Sequence, residues 1–224
     1  AGPASAGGGG AADAKRALRA RSREALGAMD VADIAALSAR LCERAVEEVP
    51  EVRSRSGFAV FLSMEREVQT RVLLERLLAG GDKRVFIPKV MGKRSEDMAM
   101  FEVTTLEEVD ALPRSNWGIP EPTKQQVLAA EDPVAAGLID FVFVPGTAFD
   151  ASCSRCGHGR GYYDSFLERV AVANAAHDRP MPVTAGLGLD EQVVESVPMA
   201  PHDRPLDYVV TPTRLFTRTP PPSA

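Results

Sequence analysis

The sequence predicts a single-domain α/β sandwich, and three observations support this fold class. Strand-like and helix-like segments alternate about six times, and the stretches between them are long enough for crossover connections. The chain has 224 residues, 45% of them hydrophobic, which suffices to bury one sizeable core. A short apolar run also leads into a glycine-rich loop, an arrangement that suits anion binding in α/β proteins. These patterns argue against an all-β fold or a helix bundle.

Composition restricts the partners that we expect. The 26 basic and 31 acidic residues give a formal net charge of −5, which argues against nucleic acid. No apolar stretch approaches the ~20 residues that span a bilayer, so no membrane partner is expected. Three cysteines suit a reducing compartment better than a disulfide scaffold, which predicts a cytoplasmic protein. A monomer is the simplest expectation.

Both ends of the chain are expected to lie outside the folded domain, which would span residues 13–216. Residues 1–12 are of low complexity, which predicts a disordered leader or a cloning scar. The arginine-rich, acid-poor segment that follows would also fit a transit peptide, so a mitochondrial location is a second expectation. The proline-rich tail, residues 217–224, predicts disorder.

A first helix is predicted over residues 13–29, where apolar residues recur at helical spacing. Lys15, Arg19 and Arg23 follow one another at intervals of four, so their like charges lie on one face and repel. The ordinary interpretation is a solvated basic face. The alternative is that Lys15 and Arg19 point at a polyphosphate, whose charge would relieve the repulsion.

The remaining elements follow from capping residues and apolar runs. Asp30 is expected to cap a second helix that Pro50 ends. Further helices are predicted over residues 70–78, 164–170 and 190–197. Strands are predicted over residues 58–64, 84–88, 98–103, 141–144, 182–187 and 208–211.

The end of the first predicted strand is a candidate pocket rim. Phe61, Leu62 and Met64 lead into a polar turn that carries Glu67. Ligands of α/β sheets gather outside the carboxyl ends of strands, which would bring these side chains to a pocket. Taken alone, Glu67 would more often be a surface carboxylate. Trp117, the only tryptophan, precedes a glycine and two prolines in NWGIPEP, and either the core or a pocket wall would suit it.

The most informative stretch joins the strand at 141–144 to the helix at 164–170, which Asp164 is expected to cap. Gly157, Gly159 and Gly161 alternate with His158 and Arg160, and Arg155 precedes them. Alternate glycines let the backbone approach a ligand, and the following helix N-terminus offers unpaired N–H groups. Arginines add fixed positive charge. This stretch therefore predicts an anion cradle, most simply for phosphate.

The residues after the cradle make the pattern more specific. Tyr162, Tyr163 and Asp164 complete the run PGTAFD…RCGHGRGYYDSFL. This run resembles the signature of the 5-formyltetrahydrofolate cyclo-ligases, also called 5,10-methenyltetrahydrofolate synthetases, and the resemblance extends over most of the chain. It implies a three-layer α/β/α sandwich with a mostly parallel central sheet, similar to the folds of sugar-phosphate isomerases and CoA transferases.

The resemblance also implies a reaction and a set of site residues. The reaction is the ATP- and Mg²⁺-dependent conversion of 5-formyltetrahydrofolate to 5,10-methenyltetrahydrofolate, with the formyl oxygen phosphorylated, N10 attacking, and ADP and phosphate released. Catalytic roles would fall to Lys15, Arg160 and Tyr163. ATP would be bound by Lys15, Arg19, Arg155, Gly157, His158, Gly159, Arg160, Gly161, Tyr162 and Tyr163. The reduced folate would contact Phe61, Leu62, Met64, Glu67, Trp117 and Tyr162, and Mg²⁺ would be held by Asp164 and Asp203.

Three alternatives remain open at the level of sequence. The family often has an aromatic residue where this chain has Val90 and Met91, which would allow a folate- or nucleotide-binding protein that has lost catalysis. A sugar-phosphate isomerase would need neither ATP nor an adenine site. Cys153, Cys156 and His158 spell a C-x-x-C-x-H pattern that a zinc ion could use, but a fourth ligand is not obvious, His202 being the nearest candidate. The family varies at the position of His158, which could equally be an unengaged loop residue.

Overall fold

A computed structural model describes residues 8–116, 118–200 and 203–219 of the chain. The helices are α1 (Gly8–Ala28), α2 (Val31–Glu48), α3 (Glu51–Ser54), α4 (Arg71–Leu78), α5 (Leu106–Ala111), α6 (Lys124–Ala129) and α7 (Tyr162–Ala176). The strands are β1 (Gly57–Ala59), β2 (Arg84–Val90), β3 (Met98–Val103), β4 (Phe141–Pro145), β5 (Ala148–Phe149), β6 (Arg155–Cys156), β7 (Val183–Leu187), β8 (Tyr208–Val210) and β9 (Leu215–Thr217). A single 3₁₀ turn, Asp190–Gln192, follows β7.

The central sheet has seven strands in the order β3-β2-β1-β4-β7-β8-β9. The five inner strands run parallel to one another, and the edge strands β3 and β9 pair antiparallel with β2 and β8. Strands β5 and β6 form a separate two-stranded hairpin beside the sheet. The order of the inner strands places the carboxyl ends of β1 and β4 side by side.

Helices cover both faces of the sheet, because successive side chains of the inner strands point to opposite sides. In β4, Phe141 and Phe143 belong to a core that includes α2 and α4, whereas Val142 and Val144 pack in the core beneath α7. Phe58 belongs to the first core, and its ring centroid lies 5.4 Å from the ring centroid of Phe141. A fully buried ring of this size contributes about 1.5–3 kcal/mol. The three-layer sandwich with a mostly parallel sheet is therefore confirmed.

The first predicted strand is much shorter than its apolar run. Strand β1 ends at Ala59, although the sequence predicts a strand over residues 58–64. Further along this run, side chains satisfy backbone carbonyls that a neighbouring strand would otherwise satisfy. The Thr70 hydroxyl donates to the Phe61 carbonyl at 2.6 Å. The side-chain amide nitrogen of Gln69 donates to the carbonyls of Met64, Glu65 and Glu67. The run thus curls away from the sheet into a pinned turn.

Helix α7 begins two residues before its predicted cap. Its N-cap is Gly161, in the left-handed region at φ 71°, so Asp164 lies inside the first turn and is not the cap. The expectation failed because glycine reaches this backbone conformation without the steric cost that other residues carry. The helix predicted at residues 190–197 is shorter than expected and consists of a single 3₁₀ turn, Asp190–Gln192.

The ends of the folded unit also differ from the predicted boundaries. Helix α1 begins at Gly8, so residues 8–12 continue the helix expected to start at residue 13. Thr217, expected to begin the tail, closes strand β9. Residues 1–7 and 220–224 lie outside the described part of the chain. Of the helices that the structure describes, none combines the length and apolarity needed to cross a membrane.

Candidate active site

A large cavity lies past the carboxyl ends of β1 and β4. Its volume is about 1010 Å³, which is the size of a pocket for sizeable ligands. Every predicted site residue that the structure describes lines it: Lys15, Arg19, Phe61, Leu62, Met64, Glu67, Arg155, Gly157, His158, Gly159, Arg160, Gly161, Tyr162, Tyr163, Asp164 and Asp203. Trp117 lies outside the described residues. Residues far apart in sequence are therefore brought to one place.

The glycine loop is shaped by its close contact with helix α1. The Arg19 Nε donates to the Gly157 carbonyl at 2.8 Å. A Cβ atom on Gly159 would lie 3.2 Å from the Arg19 guanidinium carbon, and Gly159 has φ +91°. Both the space and the backbone conformation therefore require glycine there. Arg19 therefore holds the loop in place and also brings a positive charge to the cavity.

Helix α1 is held at its middle and at its C-terminal end by long-range contacts. At its middle it packs on the β5–β6 hairpin, where Leu18 contacts the small cluster of Ala148, Cys156 and Val197. At its other end the Arg66 guanidinium donates to the carbonyls of Leu26, Gly27 and Met29 at 3.1–3.3 Å. A cation there satisfies helix carbonyls that lack intrahelical partners. These contacts fix the face that carries Lys15 and Arg19.

Lys15 and Arg155 both form ion pairs in the cavity wall. Lys15 pairs with Asp203, and both side chains are mostly buried, at 14% and 11% exposure. The Ala200 backbone N–H also donates to the Asp203 carboxylate at 2.6 Å. Arg155 is buried and donates to Asp164 at 2.6 Å and to the Pro145 carbonyl at 3.2 Å. Arg155 therefore ties the loop to β4 and α7, a contact pattern that its sequence position did not reveal.

Arg160 contrasts with these paired residues. Its side chain is exposed at the cavity, and within residues 8–116, 118–200 and 203–219 its guanidinium has no hydrogen-bond or ion-pair partner. A charged group with no protein partner beside a glycine loop is free to meet an anionic ligand.

The two tyrosines of the motif take different positions. The Tyr162 hydroxyl donates to the Gly92 carbonyl at 3.2 Å, which anchors the start of α7 to the loop after β2. Burial raises the pKa of the Tyr163 phenol, the nearby Glu67 raises this pKa further, and the charge of Arg155 opposes both. Tyr163 is therefore a neutral hydroxyl in the cavity wall at physiological pH.

The rest of the cavity wall is largely apolar but carries two carboxylates, Glu67 and Glu121. Phe61, Leu62 and Met64 line it, and Glu67 accepts a hydrogen bond from the Met64 N–H at 3.0 Å. Further lining residues were not predicted from the sequence: Ala11, Ala12, Pro88, Val90, Met98, Ile119, Glu121, Pro145, Met199 and Ala200. Glu121 pairs with Lys89 at 2.7 Å. Its place in the run WGIPEP was the one available signal.

The described residues do not support the zinc alternative. Among them, no group of three or more His, Cys, Asp or Glu side chains is arranged to hold a metal ion. Cys153 and Cys156 are both fully buried. Burial raises the pKa of the Cys153 thiol to about 11, which disfavours the thiolate that zinc requires. His202 lies outside the described residues.

Comparison with known proteins agrees with this geometry. A 5-formyltetrahydrofolate cyclo-ligase from mouse is 32% identical over 197 residues, which cover 88% of this chain and 93% of the mouse protein. A probable 5-formyltetrahydrofolate cyclo-ligase from Schizosaccharomyces pombe is 34% identical over 206 residues, 90% of this chain and 97% of that protein.

Solved structures show the same architecture. The NMR structure of Aquifex aeolicus 5,10-methenyltetrahydrofolate synthetase superposes with a TM-score of 0.70 at 25% identity, covering 94% of this chain and 95% of that one. The Mycoplasma pneumoniae synthetase shares the fold, with a TM-score of 0.64 at 16% identity over 88% of this chain and 98% of that one. The model of the 5-formyltetrahydrofolate cyclo-ligase family matches residues 11–212. The chain belongs to the 5-formyltetrahydrofolate cyclo-ligase family.

Proposed function

We propose that this protein converts 5-formyltetrahydrofolate to 5,10-methenyltetrahydrofolate at the expense of ATP, releasing ADP and phosphate. The observation that carries the proposal is the convergence of two basic elements on one cavity. Lys15 and Arg19 reach it from α1, the glycine loop with Arg160 reaches it from the centre of the chain, and the facing wall is apolar. Polyphosphate and a flat heterocycle are the ligands that suit these two sides.

The chemistry sets a clear demand on the site. N10 of the folate must attack the formyl carbon on N5, but the oxygen of an amide is a poor leaving group. Transfer of the ATP γ-phosphoryl group to that oxygen breaks the bond to ADP and forms a phosphate ester. The carbon–oxygen bond then breaks as N10 bonds to carbon, phosphate departs, and the N10 proton passes to solvent. Positioning and charge neutralisation therefore supply most of the rate.

On the nucleotide side, each basic group has its own part. Lys15 and Arg19 bind phosphate oxygens from the α1 face, and the backbone N–H groups of the loop from Gly157 to Gly161 bind them from the other. Arg160 has no described protein partner, so we assign it to the phosphoryl group in transfer. Arg155 supports the loop and does not reach the phosphates directly, because its guanidinium is buried and donates to Asp164 and to the Pro145 carbonyl.

On the folate side, the apolar wall excludes water and one acid orients the ring. Phe61, Leu62 and Met64 pack against the pterin, and the Glu67 carboxylate accepts hydrogen bonds from its N–H groups. Trp117 and Tyr162 complete the predicted folate contacts. Tyr163, neutral because its pKa is raised by burial, donates a hydrogen bond toward the reacting formyl oxygen.

The acids of the cavity fit a magnesium ion. Asp164 and Asp203 both line it, and carboxylate oxygens are hard donors; Mg²⁺ commonly takes one or two of them and completes its shell with phosphates and water. Each acid now faces a cation, Arg155 or Lys15. Bound there, Mg²⁺ would supply charge neutralisation to the phosphates. The roles of all these site residues are part of the proposal.

An omission assay tests the function. Purified protein is mixed with 5-formyltetrahydrofolate, and ultraviolet absorbance of the methenyl product is followed with and without ATP and Mg²⁺. We expect product only when both are present. Folate binding without turnover would select the alternative of a binding protein that has lost catalysis. Turnover of a sugar phosphate, with no folate reaction, would select the isomerase.

A further inference from the structure

One contact joins the two sides of the cavity, and the proposed reaction does not use it. His158 Nε2 lies 3.2 Å from the Glu67 carboxylate oxygen Oε1. The imidazole belongs to the glycine loop, whereas the carboxylate belongs to the turn after β1, so 91 positions of sequence separate them. The histidine side chain is 51% exposed and the glutamate side chain 21% exposed. Both residues line the cavity.

The carboxylate is held from its other side as well. Its second oxygen, Oε2, accepts the Met64 backbone N–H at 3.0 Å. The turn beneath it is fixed by Gln69, whose side-chain nitrogen donates to three carbonyls at 2.9–3.0 Å. With the backbone of this turn already fixed, the remaining freedom of Glu67 is the rotation of its own side chain. His158 is the partner that restrains that rotation from the loop.

We propose that His158 is a positioning residue that fixes the Glu67 carboxylate for the folate, and that it thereby couples the nucleotide loop to folate affinity. The proposal rests on the proposed function, because it takes Glu67 as the acid that meets the pterin. It gives the two parts of residue 158 different tasks: its backbone belongs to the phosphate cradle, and its imidazole reaches across to the folate wall.

The coupling follows from the geometry of the loop. The carbonyl of Gly157, which precedes His158, accepts a hydrogen bond from Arg19, a residue that we place on the phosphates, so a nucleotide that further restrains the loop also restrains the imidazole. An ordered imidazole narrows the rotamers of Glu67 before the folate arrives. Binding of one substrate then lowers the conformational cost of binding the other, and such coupling is reciprocal.

The test compares three variants by steady-state kinetics. His158→Ala is expected to raise KM for 5-formyltetrahydrofolate about three- to fivefold, the upper range for one imidazole–carboxylate contact at a partly exposed site. Its kcat at saturating folate should stay within about twofold of wild type, and so should its KM for ATP at low folate concentration, because the lost coupling acts on ATP only when folate is bound. His158→Gln offers an amide N–H at similar reach and should restore most of the folate KM. His177→Ala is the matched control, since His177 follows the end of α7, lies 2.9 Å from the Ala135 carbonyl and does not line the cavity.

Equilibrium binding separates this proposal from the function it rests on. The dissociation constant of 5-formyltetrahydrofolate is measured with and without a non-hydrolysable ATP analogue, in wild type and in His158→Ala. We expect the analogue to tighten folate binding in wild type and to do so less in the variant. If the wild-type protein never forms the methenyl product, the proposed function is refuted. The binding comparison would still show whether His158 acts on folate affinity through Glu67.

Three results would overturn the proposal. One is an unchanged folate KM in His158→Ala. Another is a rise in the ATP KM alone, which would make the imidazole a phosphate contact. The third comes from a double-mutant cycle: if His158→Ala weakens folate binding as much on a Glu67→Ala background as in wild type, the histidine does not act through Glu67.

Discussion

Lys15 and Asp203 form an ion pair although 188 positions separate them in the sequence. The pair joins helix α1 to the loop before β8, and both side chains are mostly buried. Asp203 also accepts the Ala200 N–H, so the lysine is held at the cavity by an acid that is itself anchored. The pairing orients the Lys15 ammonium before a polyphosphate arrives, which reduces the entropy that binding must cost.

Removal of the Lys15 ammonium should weaken ATP use more than folate use. In Lys15→Ala a phosphate contact is lost, and the Asp203 carboxylate near the phosphates loses the ammonium that it pairs with. We expect kcat/KM for ATP to fall by about 10²-fold or more. Arg16→Ala is the matched control on the same helix, because Arg16 is 79% exposed and should change the value less than about twofold. Equal losses in the two variants would place the effect in helix α1 as a whole, contrary to this account.

Arg160 should act on turnover and not on folate binding. Arg160→Ala removes the guanidinium that we assign to the transferring phosphoryl group, so kcat should fall by more than about 10²-fold while folate affinity changes by less than about threefold. Arg40→Ala, at an exposed position on α2, controls for loss of surface charge. Near-normal turnover in Arg160→Ala would remove this residue from the mechanism.

Gly159 should tolerate no side chain. Gly159→Ala forces a residue at φ +91° and places its Cβ against the Arg19 guanidinium, so the loop must move. The expected result is a loss of ATP-dependent turnover with a destabilisation of about 1–2 kcal/mol. Gly27→Ala in α1 provides the opposite control: its Cβ meets nothing within 4 Å, and it should stabilise the protein by up to about 1 kcal/mol. Urea unfolding and the turnover assay measure both effects.

Stability should fall at alkaline pH, partly because of Cys42. Burial raises the pKa of this thiol from 9.0 to about 12 in the folded protein. Above pH 9.0 the unfolded chain releases the thiol proton while the folded protein keeps it, so the free energy of unfolding decreases until the folded pKa is reached. The contribution is about 1.4 kcal/mol per pH unit in that window. Unfolding curves across it should be less steep in pH for Cys42→Ala than for wild type; equal slopes would contradict the burial argument.

The sequence predicted the parts of the site that depend on local chemistry. Alternate glycines indicated a backbone close to a ligand, and Gly159 and Gly161 indeed adopt positive φ. The interval of four between Lys15 and Arg19 places both on one helix face, and both reach the cavity. The alternation of strands and helices predicted the layers, because each pattern reports which face of an element is buried.

Contacts between distant segments could not be predicted in the same way. Nothing in the spacing of residues indicates that Lys15 meets Asp203 or that His158 meets Glu67. The β5–β6 hairpin was missed because strands of two residues carry no periodicity. The low complexity of residues 1–12 led us to expect a disordered leader or a cloning scar, yet α1 begins at Gly8.

The fate of the formyl oxygen tests the central claim most directly. The substrate is prepared with a heavy oxygen isotope in its formyl group, and the released phosphate is analysed by mass spectrometry after turnover with ATP. If the site activates that oxygen by phosphorylation, the isotope appears in inorganic phosphate, one atom for each methenyl product. Heavy isotope in water, with unlabelled phosphate, would contradict the account.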